Sequence, residues 1–165
     1  MASISLGISS STPTDARPFT AFNFRVEIDV NGVSNLVCAA YFSDVDGLEM
    51  NLEPKTIREG GRNIGPVHMA GGVGYGQLSL KRGMTASFDL WNWFEAVAKP
   101  GGGGLRGSAD VVVLAADGSQ EFRFRLTGCL PTKLKAPALN AKDGLIAIEE
   151  MSIVYESMML IAPGS

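Results

Sequence analysis

One histidine, two cysteines and no basic run leave this 165-residue sequence short of the usual materials of catalysis and ligation. His68 is the sole candidate for the base of a Ser-His-Asp or Cys-His system, and it stands in a glycine-rich stretch with no nucleophile beside it. It therefore reads as a plain loop residue, and no catalytic role is assigned. Cys38 and Cys129 are too few for a disulfide scaffold and, with one histidine, too few for a zinc site. They read as reduced, buried thiols, and no metal or cofactor is expected.

Lysine and arginine total 14 against 17 acidic residues, for a net charge of -3. With no cluster to neutralise a phosphate backbone, a nucleic-acid-binding module is excluded. No apolar run approaches a membrane span, and residues 1–18 lack the charged-then-apolar order of a leader, so cytoplasmic synthesis and folding are expected. Charged residues are only 19%, a share low enough to suggest a surface partly covered by partners.

Three local patterns fall short of a site. Asp44-x-Asp46-Gly47 with Glu49 lacks the remaining ligands of a calcium loop and reads as a turn. Gly71-Gly72-Val73-Gly74-Tyr75-Gly76 lacks the Lys-Ser/Thr ending of a phosphate cradle and leads into a strand. Lys81-Arg82 near Trp91 and Trp93 reads as solvated charge beside an apolar helix face, not as a platform for bases.

What is present is β-alternation. Residues 1–18, rich in Ser, Thr, Ala and Pro, read as a flexible arm, and a single domain is expected over 19–162. Phe24, Val26, Ile28 and Val30 alternate with Arg25, Glu27 and Asp29, the period of a strand with one wet face. Asn31-Gly32 offers a tight hairpin turn to a return strand over 36–42. A weak strand near 48–57 gives way to a long glycine-rich loop, and loops of that length are commonly functional. Strand character resumes over 77–82.

Phe88, Trp91, Phe94 and Val97 then recur at helical spacing, which predicts a helix over about 86–98, capped by Thr85 or Ser87 and stopped at Lys99-Pro100-Gly101. Trp91 and Phe94 are expected to be structural, Trp91 covering an open end of the sheets. Gly101 to Gly104 read as a flexible linker. Strands over 109–114 and 121–130 flank an Asp117-Gly118 turn, with Arg123 and Arg125 on the polar side. Pro131 and Pro137 argue against a central strand beyond residue 130, and the C-terminal strand region carries a phase shift that suggests a bulge at Glu149-Glu150. Strands in hairpins around one helix give a mainly β fold, a sandwich or open barrel.

The order of pieces resembles the inner-tube proteins of contractile phage tails and extracellular contractile injection systems. The resemblance rests on Phe22-x-Phe24-Arg25-Val26-Glu27-Ile28, Phe42-Ser43-Asp44-Val45-Asp46-Gly47-Leu48, Glu59-Gly60-Gly61, Leu80-Lys81-Arg82-Gly83-Met84-Thr85 and Leu90-Trp91-Asn92-Trp93. Gly128-Cys129-Leu130-Pro131-Thr132-Lys133 and residues 148–156 complete it. It implies a barrel-like tail-tube fold forming homohexameric rings that stack into a self-assembling tube inside a sheath. Implied partners are sheath, baseplate and spike proteins, with a lumen that holds or passes protein effector or, in a phage, DNA. The particle so implied is released, membrane-docked or a virion.

On this reading Glu59, Gly60, Gly61, Arg62, Lys81 and Arg82 are candidate subunit or ring contacts. Arg25, Glu27, Asp29, Arg123 and Arg125 line either the lumen or the outer wall. A type VI secretion tube-like protein and a monomeric ligand-binding β-sandwich are the rival readings.

Overall fold

The computed structural model describes residues 23–31, 38–58, 60, 65–139, 144 and 146–163. The expected arm over residues 1–18 lies outside them. Twelve strands and one helix follow in chain order: β1 (Phe24–Val30), β2 (Cys38–Ala40), β3 (Asp44–Asp46), β4 (Met50–Leu52), β5 (Lys55–Ile57), β6 (Val67–Met69), β7 (Val73–Tyr75), β8 (Gln77–Gly83), α1 (Asp89–Ala98), β9 (Gly107–Leu114), β10 (Gln120–Lys135), β11 (Ile148–Val154) and β12 (Ser157–Ile161). The fold is mainly β with one helix, as the alternation and the single helical stretch predict.

Eight strands form one sheet in the order β2-β1-β9-β10-β11-β8-β3, with β12 continuing beyond β11 along β10. The path does not close, although its two end strands, β2 and β3, are joined by only Tyr41, Phe42 and Ser43. Inward residues follow the period of two: Val26, Ile28 and Val30 from β1, Leu78 and Leu80 from β8, Leu126 from β10, and Met151 and Ile153 from β11 are all buried. Leu90 and Trp93 of α1 complete this core.

The change of partners along β10 falls near Gly128. The β9–β10 register shifts between Leu126 and Cys129, and Gly128 adopts φ +66 where a Cβ would run into the Glu156 side chain. Both facts ask for glycine at a bulge. Up to Cys129 β10 pairs with β9 and β12; from Leu130 it pairs with β11.

Several expectations are corrected. β10 runs on through Pro131, because a register shift of its ladder with β11 lies between Pro131 and Lys133 and a proline is tolerated where the ladder is already irregular. No bulge occurs at Glu149-Glu150: β11 pairs with β8 without a shift from Ile148 to Val154. The apparent phase change arises because Glu149, 1% exposed, occupies an inward position while Ile146 and Ile148 face out. The weak strand expected near 48–57 is present as two pieces, β4 and β5, and their partners β7 and β6 lie in the stretch expected to be a loop, where three-residue strands are too brief to show alternation. Gly102–Gly104 is a 3-10 turn, not a linker. An Asn31-Gly32 turn would pair Ile28 with Asn35, whereas Ile28 pairs with Cys38, so the β1–β2 connection is longer than two residues.

The helix begins at Asp89, not Ala86, and neither Thr85 nor Ser87 caps it. Asp89 does the work: its Oδ1 accepts the Leu90 amide at 2.9 Å and also lies 2.5 Å from Arg82 Nη2. Arg82 was expected at the surface, yet it is 4% exposed. Its Nε reaches Glu149 Oε1 at 2.5 Å, its Nη1 donates to Cys38 Sγ at 3.3 Å, and its guanidinium lies 5.7 Å from the Phe42 ring centre. Glu149 Oε2 in turn accepts Trp91 Nε1 at 2.8 Å. The reason for the burial is partnership: two carboxylates offset the desolvation that an unpaired guanidinium could not survive.

Burial works against the Arg82 charge, but its hydrogen bonds with Asp89 and Glu149 prevail and hold its pKa above the ordinary arginine value. Burial likewise acts against the Asp89 carboxylate, and its hydrogen bond with Arg82 prevails, leaving the Asp89 pKa below the ordinary one. Burial pushes the Cys38 and Cys129 thiols up to about 12, so both are inert.

Trp91 is only half-buried, whereas Trp93 is 4% exposed and donates Nε1 to the Leu105 carbonyl at 3.2 Å. Trp93→Ala is therefore expected to cost about 3 to 5 kcal/mol and Trp91→Ala clearly less, as denaturant unfolding would report. Arg82→Met, which strands Glu149, is expected to cost about 3 to 5 kcal/mol, with much of that recovered in Arg82→Met/Glu149→Met. Because the folded pKa of Asp89 is depressed, its share of stability is present above about pH 4 and lost as pH falls through the lower folded value. The penalty of Arg82→Met should shrink in acid accordingly, which unfolding curves at neutral and acid pH would check.

Candidate assembly surface

The two ladders make a long hairpin arm rooted between β3 and β8. Gly47 takes φ +88 with its Cα facing the Gln77 carbonyl, where any Cβ would collide, so the arm leaves the sheet through a glycine turn. Tyr155, buried behind it, donates its hydroxyl to the Gly47 carbonyl at 2.9 Å and accepts the Glu49 amide at 3.0 Å. Its ring lies 5.7 Å from that of Tyr75. The root is thus fixed to the core.

Beyond the root the arm holds a set of bare apolar side chains. Register places Met50 opposite Tyr75, Leu52 opposite Val73, Lys55 opposite Met69 and Ile57 opposite Val67. Met50, Leu52, Val73 and Met69 are each more than half exposed. Two-stranded ladders have little stability of their own, and an exposed apolar pair of strands marks an interaction surface.

Of the contact candidates, Gly60 lies in an exposed turn, and Glu59, Gly61 and Arg62 lie outside the described residues. Lys81 projects from β8 to Asp44 Oδ2 of β3 at 3.1 Å, and the hydrogen bond and charge of Asp44 raise its pKa. Arg82 points inward, as described, and offers nothing to a partner. Phe94 is half-buried against the core.

Arg25, Glu27, Asp29, Arg123 and Arg125 do share one face of the sheet, opposite the core. Pairing sets Arg25 beside Val112 and Arg123, and Glu27 beside Asp110 and Arg125. Asp110, which the sequence reading passed over, is the hub: Arg125 grips it with Nε at 2.9 Å and Nη2 at 2.7 Å, and Arg123 Nη1 approaches at 3.3 Å. The Arg125 hydrogen bond, acting against partial burial, holds the Asp110 carboxyl below the usual carboxylate range. Arg25 and Glu27 pair at 2.9 Å. The face is charged but largely self-neutralised, and Val112 is 1% exposed between the stems of Arg25 and Arg123. A lone acid in the run Ala109-Asp110-Val111-Val112-Val113 was the available signal.

Within the eight-stranded sheet, three strands keep one side unpaired among the described residues: β2 and β3 at the ends of the path, and β12, which pairs with β10 alone. On β12, Met159 and Leu160 are more than half exposed. Among the described residues no group of three or more His, Cys, Asp or Glu could hold a metal, and no helix is long and apolar enough to cross a membrane.

The fold recurs in solved structures. A chain of the anti-feeding prophage baseplate matches with TM-score 0.76 and 22% identity, covering 91% of this chain and 99% of that one. A chain of the PVC sheath-tube complex, an extracellular contractile injection system, matches with TM-score 0.72 and 19% identity, covering 92% and 99%. Hcp1 from Flavobacterium johnsoniae matches with TM-score 0.52 and 14% identity, covering 82% and 94%. At these identities the likeness is one of fold. No curated protein matches. The family model for the T4-like virus tail tube protein gp19 matches residues 20–159, and such tube proteins are structural, not enzymes. The chain belongs to the T4-like virus tail tube protein gp19 family.

Proposed function

We propose that this chain is the inner-tube subunit of a contractile injection system or contractile phage tail, forming homohexameric rings that stack into a tube inside a sheath. It assembles in the cytoplasm, joins baseplate and spike proteins at the tube's end, and encloses a lumen that holds or passes cargo. The observation that carries the reading is the bare apolar arm, rooted firmly yet unpartnered along its length. A monomer gains nothing from exposing Met50, Leu52, Val73 and Met69; a repeating assembly buries them once per subunit.

The open edges of β2, β3 and β12 support the same reading, since unpaired strands template association unless they are covered. In this account Glu59, Gly60, Gly61 and Arg62 are contacts between subunits or rings, and the Lys81–Asp44 pair lies beside the β3 edge. The self-neutralised face of Arg25, Glu27, Asp29, Arg123 and Arg125 lines the lumen or the outer wall.

Replacing residues 50–75 by a short glycine turn should leave the eight-stranded sheet folded, because among the described residues of the arm only Tyr75, at its root, packs against the core. Electron micrographs of the purified variant are expected to show no tubes where the wild type shows them. Tubes of normal length from the arm-less variant would refute the role given to the arm, and a wild-type protein that remains a single protomer in light scattering would refute the tube itself.

A further inference from the structure

Beside α1 lies an open apolar groove of about 510 Å3, lined by Met84, Phe88, Trp91, Glu95, Pro137 and Leu139 among others. Phe88 is 54% exposed and Leu139 87%, so the groove has no cover among the described residues. Glu95 stands exposed on its rim, and its carboxylate makes no hydrogen bond or ion pair among the described residues.

We propose that this groove receives the outer ladder of the arm, β5–β6, from a second copy of the chain. The inference rests on the tube reading and names the acceptor for the arm. Three observations on the two surfaces support it.

The first is chemistry. Alternation and register put Ile57, Val67 and Met69 on one face of the outer ladder together with Lys55, and Arg58 follows immediately. Lys55 and Arg58 are exposed and unpaired among the described residues. An apolar face carrying Lys55, with Arg58 just past its end, meets an apolar groove with an exposed carboxylate at its rim, a match of apolar character and of sign.

The second is position. The arm returns to the sheet at Gly76, immediately before β8 begins at Gln77, whereas the groove begins at Met84, immediately after β8 ends at Gly83. Arm root and groove therefore lie at opposite ends of one strand. Complementary surfaces at opposite ends of a subunit make a head-to-tail contact that propagates instead of closing on itself, which is what stacking of rings requires.

The third is reach. From Glu49 to Gly60 the arm extends roughly 35 Å at ~3.3 Å per residue. A domain of this length is about 40 Å across. An arm leaving one end of a protomer can therefore overlap the near end of the next.

The test uses the full chain with Met69→Cys and Phe88→Cys together, oxidised after assembly; both sites are exposed, and the native thiols Cys38 and Cys129 are buried. Expected is a ladder of disulfide-linked multimers on a non-reducing gel from assembled protein, absent from either single variant. Glu95→Lys should cause loss of tubes, and adding Lys55→Glu and Arg58→Glu should restore them, a rescue that a folding defect would not show. Wild-type tubes combined with no cross-link, and with Glu95→Lys tubes of normal length, overturn the inference while leaving the tube reading intact. A cross-link confined within single chains overturns it in favour of the chain's own arm. A wild type that forms no tubes overturns both.

Discussion

β10 pairs with β9 and β12 over its first half and with β11 over its second, so the two halves of the sheet share one strand and cannot shift independently. The bulge at Gly128 sets the angle between them. Opposite that bulge the chain passes from β11 to β12 at Tyr155 and Glu156, with the Glu156 amide bonded to the Thr127 carbonyl at 2.9 Å. One corner thus decides where every other strand lies, and Tyr155, sitting on that corner, transmits its position to the root of the arm through Gly47 and Glu49.

The helix is placed by charge as well as by apolar packing. Leu90 and Trp93 bury against the sheets, but the start of α1 is fixed by Asp89 on Arg82, and Arg82 is fixed to β11 by Glu149. A buried ionic cluster of this kind adds little net stability over an apolar substitute, and its value is in geometry: only one seating of α1 satisfies all three charges. That seating leaves Phe88 and one side of Trp91 facing outward, which creates the groove.

Much of the fold was legible because the core strands are long enough to alternate. β1 and the first half of β10 show both faces in the sequence, and the five charged residues Arg25, Glu27, Asp29, Arg123 and Arg125 share a face as their spacing implies. The failures have physical causes. Arg82 and Glu149 occupy buried positions that polarity alone assigns to the surface, and Glu149 so imitates an outward residue that it suggests a bulge that is absent. The outgoing side of the arm showed only as a weak strand, and its return side, β6 and β7, was invisible, because these strands have three residues each among prolines and glycines and their apolar residues are largely exposed rather than buried. Periodicity reports burial within a protomer; a segment whose partner is another molecule carries no such signal.

The central claim is that what the protomer leaves bare, its neighbours cover. Amide hydrogen exchange, compared between dispersed protomers and assembled protein, reads this directly. Protection is predicted to rise sharply in the arm between Met50 and Tyr75 and along β12 from Ser157 to Ile161, and to change little in β1, whose amides are already paired on both sides. Assembled protein in which the arm exchanges as fast as in the free protomer would contradict the account.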